Sequence, residues 1–319
     1  MSTSPDHGTT VGLDIGGTKV LGVALDTAGV VVREERKPSP VTDLTKLVAV
    51  CAEIVTELGP ARAPVGVGAA GLVDRHGRLT YAPNIPGVRN APLRDEIARA
   101  TGRAVVVDND ANVAALGEVT YGAAAGARHA LMVTLGTGIG GGVIVDGHIY
   151  RGANGFAGEI GHVTVDIDGP LCACGERGHW EAIASGNALG RMARELCAEG
   201  RGAAILAAAG DDLAEVSGEE VATCAAAGDA VAIALLARYA DNVALGLANL
   251  ANVLDPERIV VSGGLVEMGP LLFDPLVRAF RDRLEGTEHR PDIPIVPAAL
   301  GERAGAIGAA VLARRGERA

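Results

Sequence analysis

Two stretches of this chain share one pattern: VGLDIGGTKVLGVALDTAGVVV (11–32) and LMVTLGTGIGGGVIVDGHIYRG (131–152), which overlay without a gap. Gly16 falls on Gly136, Val23 on Val143 and Asp26 on Asp146. The first reads as strand, glycine turn, strand, tight turn and strand, its apolar runs joined at Gly16-Gly17 and again from Asp26 to Gly29. A pattern repeated over this length predicts two copies of one folding unit. On the residues alone, two unrelated glycine-rich hairpins that coincide stay open as the alternative.

The rest of the chain alternates strands and helices. Helical periodicity is expected over 43–58, and a short helix over 91–101. APVGVGAAGLVD (63–74) is a strand entering a glycine turn, and AVVVDND (104–110) is a buried strand whose Asp110 is placed to cap a helix over 111–122. Further helices fall near 187–198, 201–208, 217–227, 229–253 and 302–315, and ERIVVSGGL (257–265) returns to strand and glycine turn. This alternation predicts α/β architecture with largely buried sheets. The 319 residues allow two domains or one large one. Aromatics make up only 3% of the chain, so alanine, glycine and valine must build most of the core.

Several classes are expected to be absent. A net charge of -11 opposes binding to a nucleic-acid backbone. MSTSPDHGTT lacks the basic start and apolar stretch of a signal peptide, and no uninterrupted apolar run approaches the ~20 residues that span a bilayer. A cytoplasmic protein without membrane or nucleic-acid partners is the expectation. Five cysteines, two of them as C-x-C, do not form a disulfide framework; Cys51, Cys197 and Cys224 read as small core residues on helices.

Three strands end in glycine turns: Asp14-Ile-Gly-Gly-Thr-Lys19, Leu135-Gly-Thr-Gly-Ile-Gly-Gly-Gly142 and Val261-Ser-Gly-Gly-Leu265. Gly16, Gly17, Gly138, Gly263 and Gly264 let backbone N–H groups approach phosphate oxygens, while Thr18 and Thr137 add hydroxyls and Lys19 a cation. Each turn alone reads more readily as a hairpin than as a ligand site, but three after apolar strands favour a nucleotide site. None is a P-loop, and LGTGIGGG leads into a strand, not the helix a dinucleotide fingerprint requires.

Taken in order, the first two of these turns, Gly158-Glu-Ile-Gly-His162 and Cys172-x-Cys-Gly-x-x-Gly-x-x-Glu181 resemble the ROK family of sugar kinases, most of all its bacterial and archaeal glucokinases, from about residue 10 to 315. The resemblance implies the actin-like, hexokinase-type fold: two duplicated RNase H-like α/β domains around a central cleft. The expected boundaries are 1–118 plus 301–319 for an N-terminal domain closed by the C-terminal helix, and 119–300 for a larger domain with a zinc loop.

Phosphoryl transfer to a sugar hydroxyl needs charge neutralisation, in-line positioning and a proton acceptor. Asp110, at the end of an apolar strand in DNDAN, is the expected base, a position where the family resemblance also puts the catalytic aspartate; a plain cap is the other reading. Asp14 is expected to hold Mg²⁺ through water beside the phosphate turn, the alternative being a bond to its own turn. Sugar hydroxyls call for paired acceptors and amides. The candidates are Asn84, Asn109, Asp110, Glu159, His162 and Glu181, with the backbone near Gly71; Asn84 reads equally as a turn residue before Pro86.

His162, Cys172, Cys174 and His179, separated by nine, one and four residues, form a closed set for structural Zn²⁺ with no open position for water. The family pattern has cysteine where this chain has His179. The same loop is expected to aim His162 and Glu181 at the sugar, so zinc loss is expected to raise the sugar KM far more than the ATP KM. The expected activity is ATP-dependent phosphorylation of a hexose, D-glucose at its 6-hydroxyl, by a homodimer or homotetramer. Alternatives are a kinase for another hexose such as N-acetylmannosamine, a polyphosphate-using glucokinase, and a sugar-sensing regulator. The last is disfavoured because the first strand starts at Val11, leaving no room for a preceding helix-turn-helix, and because Asp14 and Asp110 are both present.

Overall fold

A computed structural model describes residues 8–82, 85 and 88–316. Its strands are β1 (Thr10–Ile15), β2 (Lys19–Leu25), β3 (Val31–Pro38), β4 (Val65–Ala69), β5 (Leu72–Val73), β6 (Leu79–Tyr81), β7 (Val105–Asn109), β8 (Ala130–Leu135), β9 (Ile139–Val145), β10 (His148–Ile149), β11 (Arg258–Ser262) and β12 (Ile295–Pro297). The helices are α1 (Leu44–Leu58), α2 (Leu93–Thr101), α3 (Asp110–Tyr121), α4 (Trp180–Ala184), α5 (Gly186–Ala198), α6 (Ala203–Ala208), α7 (Gly218–Ala226), α8 (Ala230–Leu254), α9 (Pro270–Arg283) and α10 (Ala304–Arg315). Two five-stranded sheets have matching orders, β3-β2-β1-β4-β7 and β10-β9-β8-β11-β12. Adding 120 to the ends of β1 and β2 gives those of β8 and β9, so the repeated pattern is a repeated hairpin.

Two compact units divide the chain: Met1–Met132 with Gly141–Gly158 and Ala298–Ala319, and Val133–Gly140 with Glu159–Pro297. In the first, β1 and β4 are buried almost throughout because helices cover both faces of the sheet. The backbone of α10 lies directly on these strands: a Cβ on Gly12 or Gly66 would run into the carbonyls of Ala306 or Ala309. Glycine facing alanine lets sheet and helix approach without large side chains, which is how a core poor in aromatics fills its volume. The same device joins α10 to α3, where Gly308 meets the Val113 carbonyl. Glu118, fully buried on α3, fastens the segment before α10 by accepting the N–H groups of Ala299 (3.0 Å) and Leu300 (2.8 Å).

In the second unit Trp180 is the anchor. Its ring is 1% exposed, lies where Gly246 of α8 has no side chain, and donates through Nε1 to the Asn242 carbonyl at 3.0 Å. Tyr239 and Asn242 of α8 return bonds to the Ala184 and Ile183 carbonyls at 2.7 and 3.0 Å, closing the open end of α4. Helix α8 is long and apolar enough to cross a membrane by length and mean hydropathy, yet half of that window is buried, and it carries Arg238 and Asp241. Cys51, Cys197 and Cys224 are buried on α1, α5 and α7 as expected. Helix α9 is not among the expected elements, although Pro270 stands at its first turn, a position proline favours.

Candidate active site

Strands β1, β4 and β7 run parallel and in register, with Ile15, Ala69 and Asn109 level. Their carboxyl ends bring Asp14, the turn through Gly71, and Asn109-Asp110 to one edge, the edge at which open α/β sheets bind ligands. The cap of α3 differs from expectation: Asn109, not Asp110, is the N-cap, its Oδ1 accepting the Asn112 N–H at 3.0 Å. Asp110 is the first helical residue instead, and its Oδ1 accepts from Ala111 N (3.0 Å) and Asn109 Nδ2 (2.9 Å). Asn109 Nδ2 also donates to the Gly71 carbonyl at 3.1 Å, so what Asn109 can offer a ligand is the second lone pair of Oδ1. Gly71 is required by its own turn: its φ is +132°, and a Cβ there would meet the Tyr81 carbonyl.

Burial pushes the Asp110 carboxyl above the ordinary carboxylate range, against the lowering effect of the Ala111 and Asn109 bonds. Asp14 is raised to about 7, first by burial and then by the nearby Asp110 charge, with Lys19 opposing. Its carboxylate lies against Gly305 in the first turn of α10, where a Cβ would collide with it. Lys19 is ion-paired to Glu302 at 2.8 Å, and Arg36 shares that carboxylate at 2.9 Å.

In the second unit the β8–β9 turn is an independent hub. Ile139 donates its N–H to Glu181 Oε2 at 3.1 Å, and its carbonyl lies where a Cβ of Gly161 would fall, so the Glu159–His162 turn seats on the start of β9. Glu181 Oε1 accepts from the Cys172 thiol at 3.1 Å. Expected as a sugar ligand, Glu181 thus also links the cysteine loop to the expected phosphate turn.

The glycines of the three turns do not serve one purpose. Gly263 has φ +96° and no room beside the Leu135 carbonyl, and a Cβ on Gly138 would collide with the Glu181 carboxylate. Gly136 and Gly264 have nothing within 4 Å of a Cβ position and Gly16 only an ordinary contact, and none of the three adopts positive φ. Backbone there is open to a bulky ligand for reasons the fold itself does not impose. Thr18 and Thr137 are exposed at the same turns.

His162, Cys172, Cys174 and His179 bring one ligand atom each within 4.8 Å of one another. Two nitrogens each 2.0–2.1 Å from a tetrahedral zinc lie about 3.3 Å apart, and a nitrogen and a sulfur about 3.6 Å. The two Nδ1 atoms are 3.3 Å apart; Cys172 Sγ is 3.9 Å from His162 Nδ1, and Cys174 Sγ 3.2 Å from His179 Nδ1. These four side chains fit Zn²⁺, with His179 in the fourth corner. Bonds from Cys172 N to Glu176 O (2.8 Å) and Gly178 N to Pro170 O (3.0 Å) fold the loop, and the buried Trp180 beside His179 ties it to α8.

The ROK family pattern matches residues 10–316. The chain belongs to the ROK family. The glucokinase of Streptomyces coelicolor is 39% identical over 311 residues, covering 96% of this chain and 98% of its own. The crystal structure of a ROK family glucokinase from Streptomyces griseus, in complex with glucose and AMPPNP, has a TM-score of 0.83 and 39% identity, covering 97% of this chain and all of that one. The xylose repressor of Bacillus subtilis is 28% identical over 94% of this chain, which spans 76% of the repressor. The mixed-sheet α/β architecture is therefore the actin-like, hexokinase-type fold of ROK glucokinases.

Within this ROK protein the first unit brings together Asp14, Lys19, Gly71, Asn109 and Asp110, and the second brings together Glu181, the metal cluster and the turns at Gly138 and Gly263. Asn84 lies outside the described residues. Sequence reading missed Asp108, Arg151 and Glu118 as buried charges. For Glu118 there was a signal, a lone carboxylate in the apolar helix ANVAALGEV; for Arg151 there was none.

Proposed function

We propose that this ROK kinase transfers the γ-phosphoryl group of ATP to a hexose, D-glucose at its 6-hydroxyl, with Asp110 as general base. The carrying observation is Asp110 itself: a carboxylate at a strand end, aimed by Asn109 and Ala111 and raised in proton affinity by burial. A base must be ionised to act, and one with a raised pKa takes the hydroxyl proton more readily once ionised. Asn84, Asn109, Glu159, His162, Glu181 and the backbone near Gly71 are the proposed hydroxyl partners.

The open backbone at Gly16, Gly136 and Gly264, with Gly17, Thr18, Thr137, Gly138, Gly263 and the Lys19 ammonium, is proposed to hold the phosphates. Mg²⁺ carried with ATP would neutralise phosphate charge beside Asp14, whose carboxylate is a hard oxygen donor suited to it. Zn²⁺ on His162, Cys172, Cys174 and His179 would be structural, since the four side chains complete its shell. Exposed Val163, Ile167 and Leu171 on the same segment favour burial in a homodimer or homotetramer. A cytoplasmic location is part of this proposal, since a kinase of this kind draws on ATP.

Identity of 39% to a glucokinase against 28% to a repressor favours catalysis over sugar sensing. A coupled assay of the purified protein against a hexose panel that includes N-acetylmannosamine, with ATP and polyphosphate in parallel, tests this reading. Glucose with ATP is expected to give the highest kcat/KM; no hexose-stimulated release of ADP would overturn it.

A further inference from the structure

Behind the proposed base lies a buried charge pair that the reaction does not use. Asp108, the last but one residue of β7, is 2% exposed, and Arg151, in the segment after β10, is 9% exposed. Arg151 Nε donates to Asp108 Oδ2 at 2.6 Å. The other carboxylate oxygen, Oδ1, accepts the backbone N–H of Asn109 at 2.8 Å and the side-chain amide of Asn112 at 2.9 Å. Asn109 and Asn112 are in turn bonded to each other across the first turn of α3, and Asn109 reaches Asp110. One carboxylate therefore grips both residues that frame the base.

As a stabilising device this arrangement is poor. Both charges pay for desolvation, and Arg151 Nη2 and Asn112 Oδ1 are buried without a hydrogen-bond partner among the described residues. Such a network is better suited to fixing a position than to holding a fold together. The position it fixes is the β7–α3 junction. A guanidinium held on Asp108 Oδ2 keeps that carboxylate in one rotamer, so the Asn109 N–H and the Asn112 amide meet a fixed acceptor. The Asn109 side chain then holds Asp110 Oδ1 in place. The segment carrying Arg151 is itself anchored nearby, since a Cβ on Gly158 would fall between the Gly141 carbonyl and Asn112 Oδ1.

We propose that Arg151 and Asp108 are positioning residues for the Asn109-Asp110 pair, Arg151 acting through Asp108 on the orientation of the base. The kinetic part of this rests on the kinase reading given above; the structural part does not. The test compares the wild type with Arg151→Lys, which keeps the charge but lacks the Nε donor held on Asp108 Oδ2, and with Asp108→Asn/Arg151→Met, which leaves no charge buried without its partner. Hydrogen–deuterium exchange is followed at the amides of Asn109, Ala111 and Asn112, alongside steady-state kinetics.

Both variants are expected to exchange at these amides at least tenfold faster, with the rest of α3 and the sheet unchanged. In both, kcat is expected to fall about 10- to 100-fold and the hexose KM to rise with it, since Asn109 is a proposed hydroxyl partner, while the ATP KM stays within about threefold. Unchanged exchange and unchanged kcat in folded variants would overturn the proposal. So would faster exchange spread evenly over the whole unit, which marks a structural role only. If the double variant does not fold, Arg151→Lys decides alone. If the wild type turns over no hexose, the kinase reading falls, while the exchange data still decide whether the pair holds the junction.

Discussion

The hairpin β1–β2 and its copy β8–β9 have the same strand lengths and the same place in matching sheets, yet their turns carry different chemistry. At the positions 120 residues apart, Asp14 answers to Thr134 and Lys19 to Ile139. The first turn therefore holds a carboxylate with a raised pKa and an ammonium, and the second holds neither. What the second has instead is support from outside the hairpin: the Glu181 carboxylate on the Ile139 N–H. The repeated frame presents an open glycine turn twice over; one copy carries charge, and the other is braced by Glu181, beside the proposed metal loop.

The largest expected break in this comparison comes from removing the polar group at each of the two equivalent positions. Asp14→Asn should lower kcat/KM for ATP at least ~100-fold, whereas Thr134→Val should change it less than ~3-fold; equal losses would mean the turns are interchangeable. The same variant has an opposite signature in stability. The unfolded chain ionises Asp14 near 3.8 and the folded chain only at about 7, so between these values the folded state holds the extra proton and stability falls as pH rises. Asp14→Asn should therefore raise Tm at pH 8, by an amount worth at most about 4 kcal/mol, and leave it unchanged near pH 4.

Next in size is the effect of losing the metal loop. Cys172→Ser/Cys174→Ser should lose zinc by elemental analysis and raise the hexose KM about tenfold or more. The Glu181–Ile139 bond now adds that the ATP KM rises as well, by a smaller factor, where the sequence alone predicts little change there. Unchanged hexose kinetics in the zinc-free protein would contradict the role of the loop. The smallest effect separates open glycines from required ones. Gly16→Ala should raise the ATP KM a few-fold with Tm unchanged, while Gly263→Ala should lower Tm, because its positive φ and the Leu135 carbonyl leave no room for a side chain.

The repeated hairpin, the three glycine turns and the metal spacing were legible because each is local: a short stretch of residues states its own geometry. That Asp110 stands at the strand end where α3 begins was legible, but not the division of labour at that helix. Asn109 and Asp110 are both good caps, and only the bond from Asn109 to the Gly71 carbonyl, 38 residues away, settles which one turns toward the backbone. Arg151 and Asp108 were illegible for the same reason, since a charged residue near the end of a strand reads as solvated until a partner from another segment buries it. Glu181 shows the mixed case: its neighbourhood to the cysteines was visible, its hold on Ile139 was not.

The proposed kinase reading rests most directly on Asp110, which belongs to neither hairpin but heads α3 in the unit that carries Asp14. The measurement is kcat against pH for the wild type and Asp110→Asn, with the best hexose at saturation. The base works only when ionised, and burial raises its pKa, so wild-type kcat should fall with decreasing pH through an apparent pKa above the ordinary carboxylate range. Asp110→Asn should lose at least ~100-fold in kcat, and its residual rate should lack that limb. A variant that keeps both the wild-type kcat and the wild-type limb would contradict the account.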